Sequence, residues 1–531
     1  MKSARLKPLY EFPLNIDYLS LRGGFLTENG KKAVLIFRRD NKTYYSINEE
    51  IFGGHDTIEY FNISPDGGKI WYVYREETTP DGSGGAVGGK WHIRIGEREF
   101  GPYDEIHQPD ISPDLSRYCF VYRIEQDIPD EYHSYNDEGE ELPPLSKWYV
   151  NIDGITSQAY DSVMNAEFDE KYEKPVIVYN IGGFPDESGS VRGGKWYLKQ
   201  GNDTSTGFDY IHYFRMLQNG NVCLVYVNNP VFDEDAFELY VESGSWGMLL
   251  NGKQYGPFEK LHNPVIGPGE NFGFAYKSGY KWRFTINDSQ YGDYDDAGIL
   301  VFSRDGSKFA YSYNIGFDEE RGESGQWFIK VGETVLGGYD QIFDLVFSID
   351  GTQYAYAYLK DGEWFFVFKG ETYEAGEMMN HIEISPDGKG FAFSYVQSGF
   401  YYLNINGQVY GDYSFLHGLP VFYNDKQGFR FLFSYDRYYL CMNIDGREII
   451  ELRTIPSFYC TPDGEIQIVS HGDSAQTTLI MNFEEIGTFR SALILPGSNG
   501  NPLVLAVDDK RQVTVNEIEL YEKPEESPEE E

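Results

Sequence analysis

Residues 292–327 read Gly-Asp-Tyr294-Asp295, then Ser303-Arg-Asp-Gly306, then Phe309-Ala-Tyr-Ser-Tyr313, then Trp327, and this order of four signals recurs along the chain. The opening signal returns as Gly-Gly-His55-Asp56-Thr-Ile, Gly-Pro-Tyr103-Asp104-Glu-Ile and Gly-Gly-Tyr339-Asp340-Gln-Ile, with looser copies at Tyr160-Asp161, Phe208-Asp209 and Phe258-Glu259. Twelve residues after the aromatic position comes the last residue of a turn: Gly67 after His55, Leu115 after Tyr103, Gly306 after Tyr294, Gly351 after Tyr339. The turns, typified by Ser64-Pro-Asp-Gly67 and Ser385-Pro-Asp-Gly388, combine a proline that fixes φ, an aspartate that bonds its own backbone and a glycine free to take positive φ. A strand of alternating large and small residues follows and ends on a tyrosine: Tyr74, Tyr122, Tyr179, Tyr226, Tyr276, Tyr313, Tyr358, Tyr395 and Tyr435, with Phe37 in the first unit. Next comes a strand opened by tryptophan in seven successive units, at Trp91, Trp148, Trp196, Trp246, Trp282, Trp327 and Trp364. Four short strands per unit, patterned with period 2 and joined by tight turns, describe a β-propeller blade.

The turns count twelve units, at Gly30, Gly67, Leu115, Tyr172, Gly220, Gly269, Gly306, Gly351, Gly388, Asp425, Gly464 and Gly500. A single propeller holds four to eight blades. The chain is therefore expected to be all-β, a tandem β-propeller of about twelve four-stranded blades in two six-bladed rings, residues 1–290 and 291–521. Seven plus five is the alternative division. Residues 522–531, acidic and interrupted by proline, are expected to be a disordered tail. Composition agrees: aromatic residues make up 17 % of the chain and glycines number 58, a mixture that suits strands and turns. The formal net charge of −40 argues against a nucleic-acid-binding surface. Four widely spaced cysteines offer no Cys-x-x-Cys cage and no disulfide framework. With no apolar leader or membrane-length apolar run, the expectation is a soluble cytoplasmic protein, or a periplasmic or extracellular one if a signal peptide has been removed.

The Ser-Pro-Asp-Gly turn followed by a Phe/Ile-Ala-Phe/Tyr-Ser strand, seen most fully at Ser385-Pro-Asp-Gly-Lys-Gly-Phe-Ala-Phe-Ser394, resembles the WD40-like (PD40) repeats of TolB-type propellers. The resemblance implies a propeller fold. Related propellers serve as protein-binding platforms, as peptidase gating domains and occasionally as lyases, and fold does not choose among these. The recurring Gly-x-Tyr-Asp-x-Ile segment departs from that family's pattern.

The tyrosine and tryptophan rows admit a functional reading, as stacking platforms, and a packing reading, as filling between blades. Occupancy of one position in every unit favours packing. Cys119 and Cys223 share a second-strand position and read as small core residues. The connections between second and third strands are long in five units, residues 76–90, 124–147, 180–195, 228–245 and 314–326, so they are expected on one face of their ring. They are acidic, with Glu138, Glu140 and Glu141 in one and Asp233, Glu234 and Asp235 in another, and they are either a rim that grips a basic partner or solvated filler. His107, His212, His262 and His417 each stand four residues past the opening aromatic. The first three are expected around the first channel mouth, as a metal or anion site or as structural histidines. No nucleophile elbow, His-Glu-x-x-His or phosphate loop is present. The expectation is a non-enzymatic platform for a protein partner, without a cofactor unless a divalent metal binds; the alternative is a carbohydrate-active lyase or hydrolase at the histidines.

Overall fold

The computed structural model describes residues 3–12, 20–26, 33–47, 50–80, 86–125, 146–185, 191–217, 220–233, 240–318, 321–418, 420–423, 428–435, 440–452, 456–461, 467–472, 476–495, 502–508 and 513–521. Among these residues there is no α-helix, and no helix is long and apolar enough to cross a membrane. The strands form twelve antiparallel sheets of four or five strands and one two-stranded hairpin. All but one of these twelve sheets follow chain order across their strands, the blade topology of a tandem β-propeller; the exception takes its outer strand from the N-terminal Ser3–Phe12. Gly30, Asp425, Gly464, Gly500 and the tail 522–531 lie outside the described residues.

The chain groups into two compact units, Asp17–Asn263 and a second made of Met1–Ile16 with Pro264–Glu531. The first holds five of the sheets and the second seven. The N-terminus belongs to the second unit. Strand Ser3–Phe12 pairs antiparallel with Val513–Tyr521, from Ser3 opposite Tyr521 to Phe12 opposite Val513, and so completes the last sheet. Strands Phe272–Ser278 and Lys281–Ile286 also belong to the second unit, where Ala275, Trp282, Phe284 and Ile286 pack on Ala297, Leu300 and Tyr311 of the next sheet.

The turn chemistry is realised as read. In Ser64-Pro-Asp-Gly67 the Gly67 N–H donates to Ser64 C=O (2.7 Å), the Ser64 hydroxyl to Asp66 Oδ1 (2.6 Å), and the Lys69 N–H to Ser64 Oγ (2.9 Å). The same network recurs around Asp114, Asp305, Asp350 and Asp387. These bonds favour the charged carboxylate and hold Asp114 and Asp305 at about 2.

The aromatic rows pack neighbouring sheets together. The opening aromatic of one sheet's fourth strand stacks on the second-strand tyrosine of the next: Tyr103 on Tyr122 (4.0 Å), Tyr294 on Tyr313 (4.0 Å), Tyr339 on Tyr358 (4.1 Å). One member is corrected. Tyr435 is 49 % exposed, and its ladder place belongs to buried Phe433, 4.2 Å from Tyr413. Phe429, Phe431 and Phe433 fill the three large positions that Phe391, Phe393 and Tyr395 fill one sheet earlier. Cys119, Cys223 and Cys441 are buried and unbridged, and burial pushes the Cys223 thiol up to about 12.

Candidate binding face

The aspartate of the recurring aromatic-Asp signal is a latch between successive sheets. Asp161 accepts Lys147, from the third strand of the preceding sheet, on Oδ1; its Oδ2 accepts the Gly182 N–H of the following sheet's second strand at 2.6 Å. The arrangement repeats at Asp104, with Lys90 and the Glu125 N–H (2.7 Å), and at Asp209, with Lys195 and the Asn229 N–H (3.0 Å). Asp56 repeats it with Lys42 (2.5 Å) and the Thr78 N–H (2.9 Å), and Asp295 with Lys281 and the Gly316 N–H (2.8 Å). In every case the lysine stands fourteen residues before the aspartate. Bonds from Lys42 and Lys195 hold Asp56 and Asp209 below the usual carboxylate range. At Asp104 burial works the other way, but the Lys90 and Glu125 bonds outweigh it.

Each latch ties down the backbone where a long insertion departs. Three of the insertions are not loops but continuations of the ladder. Pro175–Pro185 pairs with Val191–Gln200, Val222–Asp233 with Tyr240–Leu250, and Phe309–Asp318 with Glu323–Val331, giving hairpin arms that outrun the other strands of their sheets. A fourth insertion contains the small hairpin Thr79–Pro80 with Ala86–Val87. At the arm roots, glycines of positive φ face each other and interrupt the ladder: Gly182 (85°) with Gly194 (67°), and Gly316 (87°) with Gly325 (62°). A side chain does not fit there. A Cβ on Gly194 would stand 2.3 Å from Gly183 N, and one on Gly325 2.1 Å from Asn314 Oδ1. The arms present apolar surface to solvent at Ile181, Phe184, Val231 and Ile315, with Phe184 60 % exposed.

The insertions also repeat in sequence, a signal that composition alone conceals. An apolar residue or threonine leads into acid in Thr79-Pro-Asp81, Ile128-Pro-Asp130-Glu131, Phe184-Pro-Asp186-Glu187, Phe232-Asp233-Glu234 and Phe317-Asp318-Glu319. Four of them close on a glycine two residues before tryptophan, at Gly89, Gly194, Gly244 and Gly325. Alignment of the insertions with one another, rather than of the blades, finds this pattern.

Of the residues expected to bind, Glu138, Glu140, Glu141, Glu234 and Asp235 lie outside the described residues, and Asp233 ends the strand Val222–Asp233. His107 and His212 sit at bulges in the first strands Glu105–Ile111 and Tyr210–Met216. His107 is held by Glu105 (Nε2 to Oε1, 2.6 Å), which also takes Arg123, and its ring lies 5.3 Å from Trp148. His212 stands edge-on to Trp246 at 4.9 Å; burial lowers its pKa below the usual histidine value, against a hydrogen bond with Asn263 that raises it. His262 is half-buried just beyond Lys260–Leu261. His107 and His212 thus each engage the tryptophan of their own sheet. Among the described residues no three His, Cys, Asp or Glu side chains are grouped to hold a metal ion.

No family model matches the sequence, and none of the curated proteins matches it. Solved structures similar to the chain include a eukaryotic initiation factor, at 10 % identity over 72 % of this chain and 96 % of that one, with a TM-score of 0.29. Another is the Dos1 propeller, at 9 % identity over 78 % and 89 %, TM-score 0.25. A third is the Cps50 (Swd1) β-propeller domain of Myceliophteria thermophila, at 8 % identity over 49 % and 98 %, TM-score 0.23. Two of the three are described as propellers, and nothing about activity or partners is carried over from them.

Proposed function

We propose that the chain is a binding platform for another protein and that the arm-bearing face of Asp17–Asn263 is its contact surface. Asp233, Glu234, Asp235, Glu138, Glu140 and Glu141 supply acidic contacts in this reading, and His107, His212 and His262 belong to the same face. The repeated PD40-like turns make the blades a rigid TolB-type scaffold for it. One observation carries the proposal: insertions of common sequence pattern leave from the same two strands of successive sheets, each on the same aspartate latch. With a net charge of −40, the partner surface is cationic.

The test is association kinetics. A purified partner, captured from the native organism, is expected to associate more slowly and with a flatter salt dependence when Asp233, Glu234 and Asp235, or Glu138, Glu140 and Glu141, are made neutral, while the melting temperature hardly moves. A rate indifferent both to salt and to these substitutions overturns the proposal.

A further inference from the structure

Two successive junctions of the Asp17–Asn263 unit lack the side chains that fill the space between sheets elsewhere. Three residues before the opening aromatic, the fourth strand carries Phe52, Phe100, Tyr255, Tyr291, Leu336 and Tyr410, but before Tyr160 and Phe208 it carries Ser157 and Ser205. On the facing sheet, two residues before the end of the ladder, the second strand buries an aromatic ring at Tyr72, Phe120, Tyr311, Tyr356, Phe393 and Phe431. Rings of the two rows meet across the junction: Phe100 and Phe120 at 5.5 Å, Tyr291 and Tyr311 at 5.8 Å, Tyr410 and Phe431 at 5.7 Å. Where the first row has serine, the second has an aliphatic residue, Ile177 before Tyr179 and Leu224 before Tyr226. Both members of the pair are thus small at the same two places.

The space is left open. Each serine hydroxyl turns back to its own sheet, where Ser157 accepts the Val150 N–H and Ser205 the Leu198 N–H, both at 3.0 Å. The first junction holds a gap of about 970 Å³ with Ser157, Tyr160, Pro175 and Ile177 in its walls. The second holds one of about 310 Å³ beside Ser205, Phe208 and Tyr226, and Gln200 and Asp203 line both. A cavity of about 150 Å³ is enough to admit a benzene ring. The larger gap reaches the turns at Lys174, Asn202 and Asn221, which join first to second and third to fourth strands and so lie at the strand ends away from the arms. The rings in the walls are covered, with Tyr160 and Tyr226 4 % exposed and Phe208 6 %. Neither gap therefore offers an aromatic face of its own.

We propose that the two gaps take aromatic side chains from a segment of another protein, one ring in each, and so complete from outside the pairs that Phe100 with Phe120 and Tyr291 with Tyr311 make from within. Aromatic anchors seated in pockets carry much of the energy of protein interfaces. The side-chain amides of Asn202 and Asn221 and the carboxylate of Asp203 suit the peptide groups on either side of such a ring. This surface is separate from the arm face, and the proposal does not rest on that reading.

The probe is the peptide Gly-Ser-Tyr-Ser-Gly, with Gly-Ser-Ser-Ser-Gly as its control, added in excess to the full chain. Amide exchange is expected to slow at least about twofold at residues 155–157 and 204–206 with the first peptide, the effect of half-saturation, and not with the second. Ile177→Phe supplies a ring as Phe120 does; it is expected to abolish the slowing at 155–157, to leave it at 204–206, and to melt no lower than the wild type. Ile177→Leu keeps both effects. Neutralising Asp233, Glu234 and Asp235 leaves the peptide effect unchanged, so failure of the arm face and failure of the gaps are told apart. No slowing with either peptide, equal slowing with both, or slowing at 155–157 that persists in Ile177→Phe overturns the proposal. Slowing by maltotriose in place of the tyrosine peptide overturns it in favour of a saccharide. A melting temperature several degrees lower in Ile177→Phe shows overpacking, hence no room for a ring, and overturns it as well.

Discussion

Asp161→Ala separates the two bonds of a latch. The carboxylate is 16 % exposed and its partner Lys147 34 %. The bond from the Gly182 N–H, 2.6 Å long, is charge-assisted, and such bonds contribute about 1.5–3 kcal/mol. Gly182 is exposed, so the released N–H finds water, and the lower end of that range, about 1.5 kcal/mol, applies. The lysine pair, open to solvent, adds about 0.5 kcal/mol. Asp161→Ala should therefore cost about 2 kcal/mol locally, a roughly 30-fold rise in opening of the 175–200 arm root, while Lys147→Ala costs about 0.5 kcal/mol. Native-state amide exchange at Ile181–Phe184 and Val191–Gly194 reads this directly, without assuming that both units unfold in one step. The molecule contains its own control. Asp340 accepts the Asp361 N–H at 2.8 Å, but the residue fourteen before it is Gln326. Asp340→Ala should then accelerate exchange at Asp361 almost as much as Asp161→Ala does at Gly182. If Lys147→Ala loosens the root as much as Asp161→Ala, the ion pair carries the latch and the reasoning from the backbone bond is wrong.

Two further outcomes follow from the same parts. The folded pKa values of Asp56, Asp104 and Asp209 lie below the unfolded value of about 3.9, so their contribution is complete above that pH and is lost as pH falls through the folded values. Burial raises Asp110 and Glu167 instead, and acid relieves their charge, so exchange corrected for intrinsic pH effects should speed up at the arm roots below about pH 4 while the Asp110–Phe168 region holds. Gly194→Ala places a Cβ against backbone at a φ of 67°, and should cost about 1–3 kcal/mol of arm stability; exchange unchanged at Gly182–Phe184 would show that the root tolerates the left-handed conformation in alanine.

Packing was legible in the sequence because it is local and repeated. Ser64-Pro-Asp-Gly67 closes its own turn, and Tyr103 and Tyr122 meet because every unit carries the same pair at the same spacing. The division into units left no such mark. The junctions from His55-Asp56 to Tyr339-Asp340, including Phe258-Glu259 near residue 263, all carry an aromatic followed by an acid, and the pairing of Ser3–Phe12 with Val513–Tyr521 joins two distant stretches of the sequence, where no spacing rule reaches. The arms were read as loops because glycine and acid break the period-2 pattern of a strand, yet their ladders continue, carried outward from sheets already in register. The tyrosine and tryptophan rows repeat because blade-to-blade packing requires them. No such requirement accounts for the exposed Phe184, Val231 and Ile315, which lie beyond the sheets they extend. A feature that recurs between the same two strands of several blades while adding little to their packing is best explained by something held outside the chain, and on that ground we propose the partner-facing role for the arms and not for the aromatic rows.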